Sequence, residues 1–283
     1  MTRIAITGAT GFIGRHVLEE LASRDLEVVA TTRGEPATSP VFANVRWVKF
    51  DLSSAGADAF DALGQPDILI HLAWGGLPNY RALRHFELEL PAHYAFLQHL
   101  TRAGLKSLLV AGTCLEYGLR SGALSETDPT SPITPYGFAK DTLRRQLEYL
   151  QRDPDCAFKL TWARLFFMHG EGQAGTSLFP QLRHAVERGE PSFRMSGGEQ
   201  LRDYLSVAQV AQTLVELALK QQDTGPVNVS SGTPRSVRGM VEQWLRENDW
   251  NIALDLGHYP YPDYEPMAFW GLRHKLDRVL ETP

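Results

Sequence analysis

An α/β protein built on a doubly wound parallel sheet is what this sequence predicts, and three observations carry the prediction. Strand-like apolar runs alternate with helix-like segments as far as Leu165, the pattern of a parallel sheet covered on both faces. The opening run, Arg3-Ile4-Ala5-Ile6-Thr7, breaks into Gly8, Gly11 and Gly14 just before a helix begins. At 283 residues, 43% hydrophobic and 22% charged, the chain has ordinary globular chemistry and the length for one large domain or a domain with an appendage.

In order, the strands are expected at Arg3–Thr7, Glu27–Thr32, Val45–Phe50, Asp67–His71, Ser107–Gly112 and Phe158–Leu165. Helices are expected between them at Phe12–Ser23, Asp58–Leu63, Tyr80–Ala103 and Tyr136–Arg152, with Pro91 bending or breaking the third. The crossovers should be right-handed. Past Leu165 the rhythm loosens: a helix at Leu178–Arg188, a Gly/Arg-rich stretch at Ser196–Asp203, a helix at Val207–Gln221, and a strand at Pro226–Ser230 that returns to the sheet. The segment around Tyr259–Trp270, rich in Pro, Tyr and Trp, reads as irregular. The division that follows is a Rossmann-type dinucleotide-binding domain of residues 1–166 plus 206–230, with a small C-terminal substrate-binding lobe of 167–205 plus 231–283.

Composition removes several classes of function. A formal net charge of −5 argues against nucleic acid as a main partner. Two cysteines, Cys114 and Cys156, build no disulfide framework, and no Cys/His cluster has structural-zinc spacing, so no metal is expected. No apolar run reaches membrane-spanning length and no charged leader with an apolar core precedes Ile4, which gives the expectation of a cytoplasmic protein in a reducing compartment.

The glycine turn has a physical reading. A strand that turns tightly into a helix aims backbone N–H groups and the positive end of the helix dipole at one point, and Gly8 and Gly11 leave room there for a pyrophosphate. Gly14 lets the helix pack closely on the strand. An ordinary Gly-rich turn is the plainer alternative, since the glycine spacing is wider than the common dinucleotide fingerprint. In a doubly wound sheet the ligand lies at the carboxyl ends of the strands. The second strand ends at Thr31-Thr32-Arg33, where an acid would bind the ribose hydroxyls of NAD and an arginine favours the 2′-phosphate of NADP, so Arg33 points to NADP and NAD is the less favoured cofactor. A solvated Arg33 with Glu35 on the ribose is the alternative. Asp51 and Leu52, after the third strand, fit an adenine pocket; Leu72, Ala73 and Trp74, after the fourth, fit a wall beside the nicotinamide.

A second constellation is Thr134-Pro135-Tyr136-Gly137-Phe138-Ala139-Lys140. Thr134 suits a helix cap and Pro135 the first turn, which puts Tyr136 and Lys140 on one face a turn apart. An ammonium that close favours the phenolate and should lower the Tyr136 pKa. The fifth strand runs into Thr113, which supplies a hydroxyl where the substrate should lie.

These residues resemble the extended short-chain dehydrogenase/reductases, in particular the NAD-dependent epimerase/dehydratase group that acts on nucleotide sugars, and the resemblance covers nearly the whole chain. Thr7-Gly8-Ala9-Thr10-Gly11-Phe12-Ile13-Gly14 matches that family's phosphate loop, so Gly8, Thr10, Gly11, Phe12, Ile13 and Gly14 are expected on the cofactor. Tyr136 and Lys140 match its catalytic pair and Thr113 its catalytic Ser/Thr. Arg164-Leu165-Phe166 is similar to the strand end that reaches the nicotinamide, which implies a cofactor contact for Phe166. Gln200-Leu201-Arg202-Asp203-Tyr204 is similar to the segment whose arginine binds the nucleotide diphosphate, a role Arg202 would inherit. Glu265–Gly271 resembles some nucleotide-sugar 4-ketoreductases more than the epimerases. The chain departs from the family at Phe167, where an Asn usually helps hold the sugar nucleotide, near Glu89, where Asn is frequent, and near Leu272, where Asp is frequent.

The resemblance also implies a reaction. The family's 4,6-dehydratases carry an Asp-Glu pair directly after the Thr, whereas here Cys114 and Leu115 follow and Glu116 should face away if the strand continues. Cys114, Phe167, Thr113 and Arg202 are then the expected substrate contacts. The expected activity is NADPH-dependent reduction of the 4-keto group of a nucleotide-linked 4-keto-6-deoxyhexose. An epimerase retaining NAD and a non-enzymatic cofactor-sensing protein are the alternatives. The family's pairing of helices across a two-fold axis, with apolar Leu97, Leu100, Leu143, Leu147 and Leu150 here, implies a homodimer through a four-helix bundle.

Overall fold

The computed structural model describes residues 2–35, 42–54, 56 and 58–281. In chain order its first half holds β1 (Arg3–Thr7), α1 (Phe12–Ala22), β2 (Glu27–Thr32), β3 (Val45–Lys49), α2 (Ala59–Ala62), β4 (Ile68–His71), α3 (Leu90–Arg102), β5 (Ser107–Thr113), β6 (Gly122–Leu124) and α4 (Pro135–Leu150). The second half holds β7 (Lys159–Leu165), β8 (Phe167–His169), α5 (Leu178–Glu187), β9 (Ser192–Arg194), β10 (Leu201–Arg202), β11 (Tyr204–Ser206), α6 (Val207–Lys220) and β12 (Gly225–Val229). It closes with β13 (Arg235–Ser236), α7 (Val237–Glu247), β14 (Ala253–Asp255), β15 (Phe269–Gly271) and α8 (His274–Glu281).

Seven strands form one parallel sheet in the order β12-β7-β5-β4-β1-β2-β3. Its central strands are mainly apolar because both faces are covered, with polar residues kept to their ends. Side chains alternate between the faces: Ile4, Ile6, Ile68, Ile70 and Leu109 pack with α1, α6 and α8, while Ala5, Leu69, Leu108 and Val110 pack with α3 and α4. The chain winds outward from β1 in both directions, so a switch point lies between β1 and β4, and every carboxyl end opens on the same edge.

Two expectations need correction here. The third helix does not run unbroken from Tyr80: one π-helical turn at His85–Glu89 precedes α3, whose first turn holds Pro91. A proline has no N–H to give and is tolerated only where that donor has no partner inside the helix, so Pro91 fixes where the α-helix starts. The leucines assigned to a dimer face are core residues instead. Leu97, Leu100, Leu143 and Leu147 are fully buried and Leu150 nearly so, all in the cluster under the sheet.

The lobe has its own apolar cluster, in which α5, β9 and α7 close around Trp244 with Leu182, Phe193, Met240 and Val241. Short strand pairs frame it: β8 with β11, β9 with β14, and β10 with β13. The Ser236 side chain caps α7 by accepting from Gly239 N. The sequence pattern predicts no helix over these residues, so α7 is an addition. We propose the division into 1–166 plus 206–230 and 167–205 plus 231–283 with one change. α8 leaves the lobe, since Leu276 is buried in the sheet's core and Lys275 Nζ donates to the carbonyls of Thr224 and Pro226 at 2.7 Å each.

Candidate active site

The turn after β1 is shaped by contacts that exclude a side chain. Gly8 has φ +74°, and a Cβ there would stand 2.7 Å from Ala73 N. A Cβ at Gly14 would overlap the Gly8 carbonyl oxygen, so helix and strand meet at a distance only glycine permits. Gly11 donates to Gly8 O at 3.0 Å and serves as the N-cap of α1 with no side chain capping it, so the helix presents unpaired N–H groups to any anion lying there. A cleft of about 520 Å³ opens from this point. Gly8, Thr10, Gly11, Arg33, Asp51, Leu52, Leu72, Ala73 and Trp74 all line it. The size, the close-approach glycines and the open helix terminus fit a dinucleotide.

The side chains of the other expected loop residues face away from the cleft lining, while the backbone of Phe12 and Ile13 forms the first turn of α1. Gly14 is buried under the turn, Ile13 packs on the sheet core, and Phe12 lies edge-on to His16. The Phe166 ring packs in a cluster with Cys114, Tyr117 and Phe269 and is not among the residues lining this cleft. Asp51 accepts from Ser53 N and Oγ, bonds that hold its pKa below the usual carboxylate range with help from the nearby Arg33 charge. Arg33 itself is exposed at the end of β2. A wider depression of about 850 Å³ lies at the opposite edge, around Lys106, Lys159 and Asp223, at the amino ends of the strands.

Thr113 and Tyr136 come together beyond β5. Thr113 is buried at the strand end and Tyr136 stands in the first turn of α4, near enough for the Thr113 hydroxyl to favour the phenolate slightly. Thr134 caps that helix by accepting from Gly137 N at 3.1 Å, which sets the direction in which Tyr136 leaves it. The phenol ring is boxed by Trp74, Tyr80 and His85 at centroid distances of 6.1, 5.5 and 5.3 Å. Lys140 Nζ, fully buried, donates to Ala111 O at 2.9 Å and lies 3.9 Å from the centre of the Trp74 ring.

This geometry corrects one expectation. Burial, followed by the proximity of Tyr80, Glu116 and Cys114, raises the Tyr136 pKa instead of lowering it, while the Thr113 hydrogen bond works weakly the other way. The Lys140 ammonium is directed at a carbonyl and an indole face, and burial drops its own pKa to about 7. Tyr136 is accordingly a phenol, a proton donor, through the neutral range.

Beneath Thr113 lies a residue whose place the sequence reading got half right. Glu116 does face away from the substrate side, but because β5 ends rather than continues: Cys114–Tyr117 form a 3₁₀ turn. Glu116, wholly buried, folds back to accept from Thr113 N at 2.9 Å while Leu115 N donates to Thr113 Oγ1. The Thr-x-x-Glu spacing of a capping box was the signal for this turn. Glu116 also accepts from Trp162 Nε1 at 2.8 Å and Arg164 Nε at 2.7 Å.

On the lobe side Arg202, for which the resemblance implies a contact to the nucleotide diphosphate, is buried and paired within the chain. Its Nη2 and Nε donate to Glu265 Oε2 at 2.9 and 3.2 Å, and Nη1 donates to the carbonyls of Leu201 and Met267. The guanidinium also lies over the rings of Phe269 and Phe167. Burial raises the Glu265 pKa against the opposing pull of Arg202, and Glu265 acts electrostatically on Cys114, placing this carboxylate near the reacting end of the site. Tyr80 and His85 carry no motif in the sequence, and Glu265 stands in it only as the first residue of the ketoreductase-like segment.

A doubly wound sheet, a glycine phosphate turn and a Thr–Tyr–Lys cluster at its carboxyl edge define a dinucleotide-dependent enzyme architecture. The chain belongs to the NAD dependent epimerase/dehydratase family, whose model matches residues 4–230, and is an NAD(P)-dependent enzyme of the extended short-chain dehydrogenase/reductase type. It is similar to the dTDP-6-deoxy-L-talose 4-dehydrogenase (NAD(+)) of Aggregatibacter actinomycetemcomitans, 28% identical over 272 residues that span 95% of this chain and 99% of that one. The dTDP-6-deoxy-L-talose 4-dehydrogenase (NAD(P)(+)) of Kitasatospora kifunensis is 26% identical over 278 residues, 92% of this chain and 83% of its own. The solved structure of MoeE5 in complex with UDP-glucuronic acid and NAD matches with a TM-score of 0.83 at 26% identity, covering 98% of this chain and 92% of that one.

Lys140 gives the site a stability signature. Its folded pKa of about 7 lies below the ordinary lysine value, so between the two the unfolded chain holds the extra proton and stability rises with pH, by up to about 1.4 kcal/mol per pH unit. Lys140→Met removes the buried charge. Urea unfolding at several pH values should show the variant's gain over wild type largest below pH ~7 and shrinking as pH rises toward ~10; a constant difference would mean Lys140 is not a buried near-neutral amine.

Proposed function

We propose that this chain reduces the C4 ketone of a nucleotide-linked 4-keto-6-deoxyhexose with NADPH, as a cytoplasmic step in making a deoxysugar. The observation that carries this reading is the Thr113–Tyr136 pair beside Lys140 and Trp74, with Cys114 and Leu115 in place of an acid pair and Glu116 sequestered below. Dehydration needs an acid and a base beside C5 and C6 of the sugar, and this wall has neither to offer. The similarity to enzymes named for oxidising the 4-hydroxyl of a 6-deoxy sugar nucleotide supports the same reaction run toward the alcohol.

Within this proposal, bound NADPH supplies the hydride. Thr113 Oγ1 donates to the carbonyl oxygen at C4 and fixes its direction. Tyr136 gives its proton to that oxygen as the alcohol forms, and its raised pKa keeps the proton in place until then. Lys140 would hold the nicotinamide ribose, with Trp74 beside it. Gly8, Gly11 and the first turn of α1 hold the diphosphate, and Arg33 the 2′-phosphate.

Tyr136→Phe should lower kcat by about 10²–10⁴-fold, the usual worth of a positioned proton donor, with cofactor affinity nearly unchanged. The assay follows NADPH absorbance with a panel of 4-keto nucleotide sugars. Interconversion of nucleotide sugars with no net absorbance change would replace reduction with epimerisation.

Cofactor choice rests on Arg33. A guanidinium on a phosphate contributes roughly 1.5–3 kcal/mol, so NADPH should bind about tenfold or more tighter than NADH, and Arg33→Ser should erase the difference. Equal affinities in wild type would remove Arg33 from the role and favour NAD.

We also propose a homodimer through α3 and α4, carried by different residues from the leucines first considered. Phe138 (50% exposed) and Tyr149 (69%) lie on one outer stripe of α4, and Phe86 meets Phe138 edge-on. Sedimentation at micromolar concentration should show a dimer that Phe138→Asp converts to monomer; a monomeric wild type would end this proposal.

A further inference from the structure

Two glycines after β4 seat a pair of charged side chains at the cofactor cleft. A Cβ at Gly75 would overlap Glu89 Oε1, and one at Gly76 (φ +82°) would come within 2.9 Å of Arg84 Cδ. Glu89 and Arg84 therefore lie against bare backbone, and both line the cleft that Gly8 and Gly11 open.

The carboxylate is rigidly held. Glu89 Oε2 accepts from Gly75 N at 2.9 Å and lies 3.3 Å from His93 Nε2, while Oε1 accepts from Arg84 Nη2 at 2.7 Å. Behind His93, its Nδ1 lies 2.7 Å from His71 Nε2, and His71 Nδ1 lies 2.8 Å from Thr7 Oγ1. One proton arrangement satisfies every link. Thr7 donates to His71, neutral His71 donates through Nε2 to neutral His93, and His93 donates through Nε2 to Glu89. Burial lowers both histidine pKa values, which keeps the rings neutral, and the hydrogen bonds led by His93 bring Glu89 to about 2, which keeps it ionised. The run ends in a fixed negative charge lining the cleft.

Such a charge repels a diphosphate unless a cation covers it. Arg84 is that cation: half exposed, it spends Nη2 on Glu89, and among the described residues its other N–H groups take no partner. A guanidinium fork held from behind by a carboxylate is preorganised for a second anion in front. The anion is placed by the strand register, in which Thr7 pairs with His71 and the Gly8 turn rests on Ala73, two residues before Gly75. Arg84 thus belongs to the end of the cleft where the diphosphate of a dinucleotide meets the Gly8 turn.

We propose that Arg84 contacts the diphosphate of the cofactor and that Glu89 is the positioning residue that aims it. The proposal rests on the reading of this cleft as the dinucleotide site.

Calorimetric titration with NADPH, NADH and ADP-ribose tests it. Arg84→Gln should weaken all three about tenfold, since all carry the diphosphate, and Arg84→Lys should recover part of the loss. In a Glu89→Gln background the cost of Arg84→Gln should shrink, because the fork is no longer aimed. Unchanged affinities, or a loss confined to NADPH, would overturn the diphosphate contact, and an equal cost in both backgrounds would overturn the role of Glu89. A wild type that binds none of the three would instead overturn the cofactor reading of the cleft.

Discussion

A single buried carboxylate holds this structure's working end together. Glu116 has no exposure to solvent and accepts from the Thr113 backbone, the Trp162 indole and the Arg164 guanidinium, with Arg144 a further cation at 3.9 Å. A carboxylate in such a place is tolerable only because each side of it is met by a donor; removing one partner of a buried pair costs about 3–5 kcal/mol. The same contacts do four things at once. They stop β5, turn the chain into the 3₁₀ segment, join β5 to β7, and hold Thr113 at a fixed height above the sheet.

From there the network reaches the lobe. Arg164 Nη1 donates to the Tyr117 hydroxyl, which donates to Asn228 Oδ1 on β12, and Asn228 Nδ2 donates to Leu124 O on β6. β6 in turn pairs with β15, so the last strand of the lobe side is tied through four hydrogen-bonded groups to the carboxylate under Thr113. The aromatic box around Tyr136 is built on the other side, by residues of the β4–α3 connection. Tyr80 O accepts from Tyr136 N at 3.1 Å, and His85 takes the Trp74 indole N–H at 3.1 Å. The Thr113 hydroxyl is thus set by the Glu116 network and the Tyr136 ring by the β4–α3 connection, and α4 joins the two through Lys140 on Ala111 O and Arg144 beside Glu116.

Much of this was legible in the sequence, for local reasons. The sheet strands could be read because a strand covered on both faces must be a continuous apolar run, and β1 and β2 were located to the residue. Gly11 and Gly14 could be read because each answers a contact with Gly8 a few residues back, whereas the close approach of Gly8 to Ala73 lies 65 positions along the chain. The Tyr136–Lys140 spacing gave a shared helical face but not the direction of the ammonium, which depends on Ala111 and Trp74 in other elements. Burial was the missing term. It sends the Tyr136 pKa up, a result that no spacing along the chain contains.

The lobe was read least well, and the reason is the length of the loops its contacts close. Arg202 looked free because the residue that neutralises it, Glu265, lies 63 positions on in a segment without periodicity. That segment, 259–267, crosses back over the site on contacts of this kind: Tyr261 with Glu199, Asp263 with Arg81, and Tyr264 against the Tyr80 ring. Most of these pairs are exposed and individually weak, worth about 0–1 kcal/mol each, whereas Arg202–Glu265 is buried and must stay paired. The segment is therefore held at one firm point and several soft ones. An anionic substrate that reached Arg202 would have to take over the place of Glu265 and leave that carboxylate either solvated or protonated. Burial already pushes the Glu265 carboxyl up and only Arg202 pulls it back, so this ion pair is the point on which the segment's position depends.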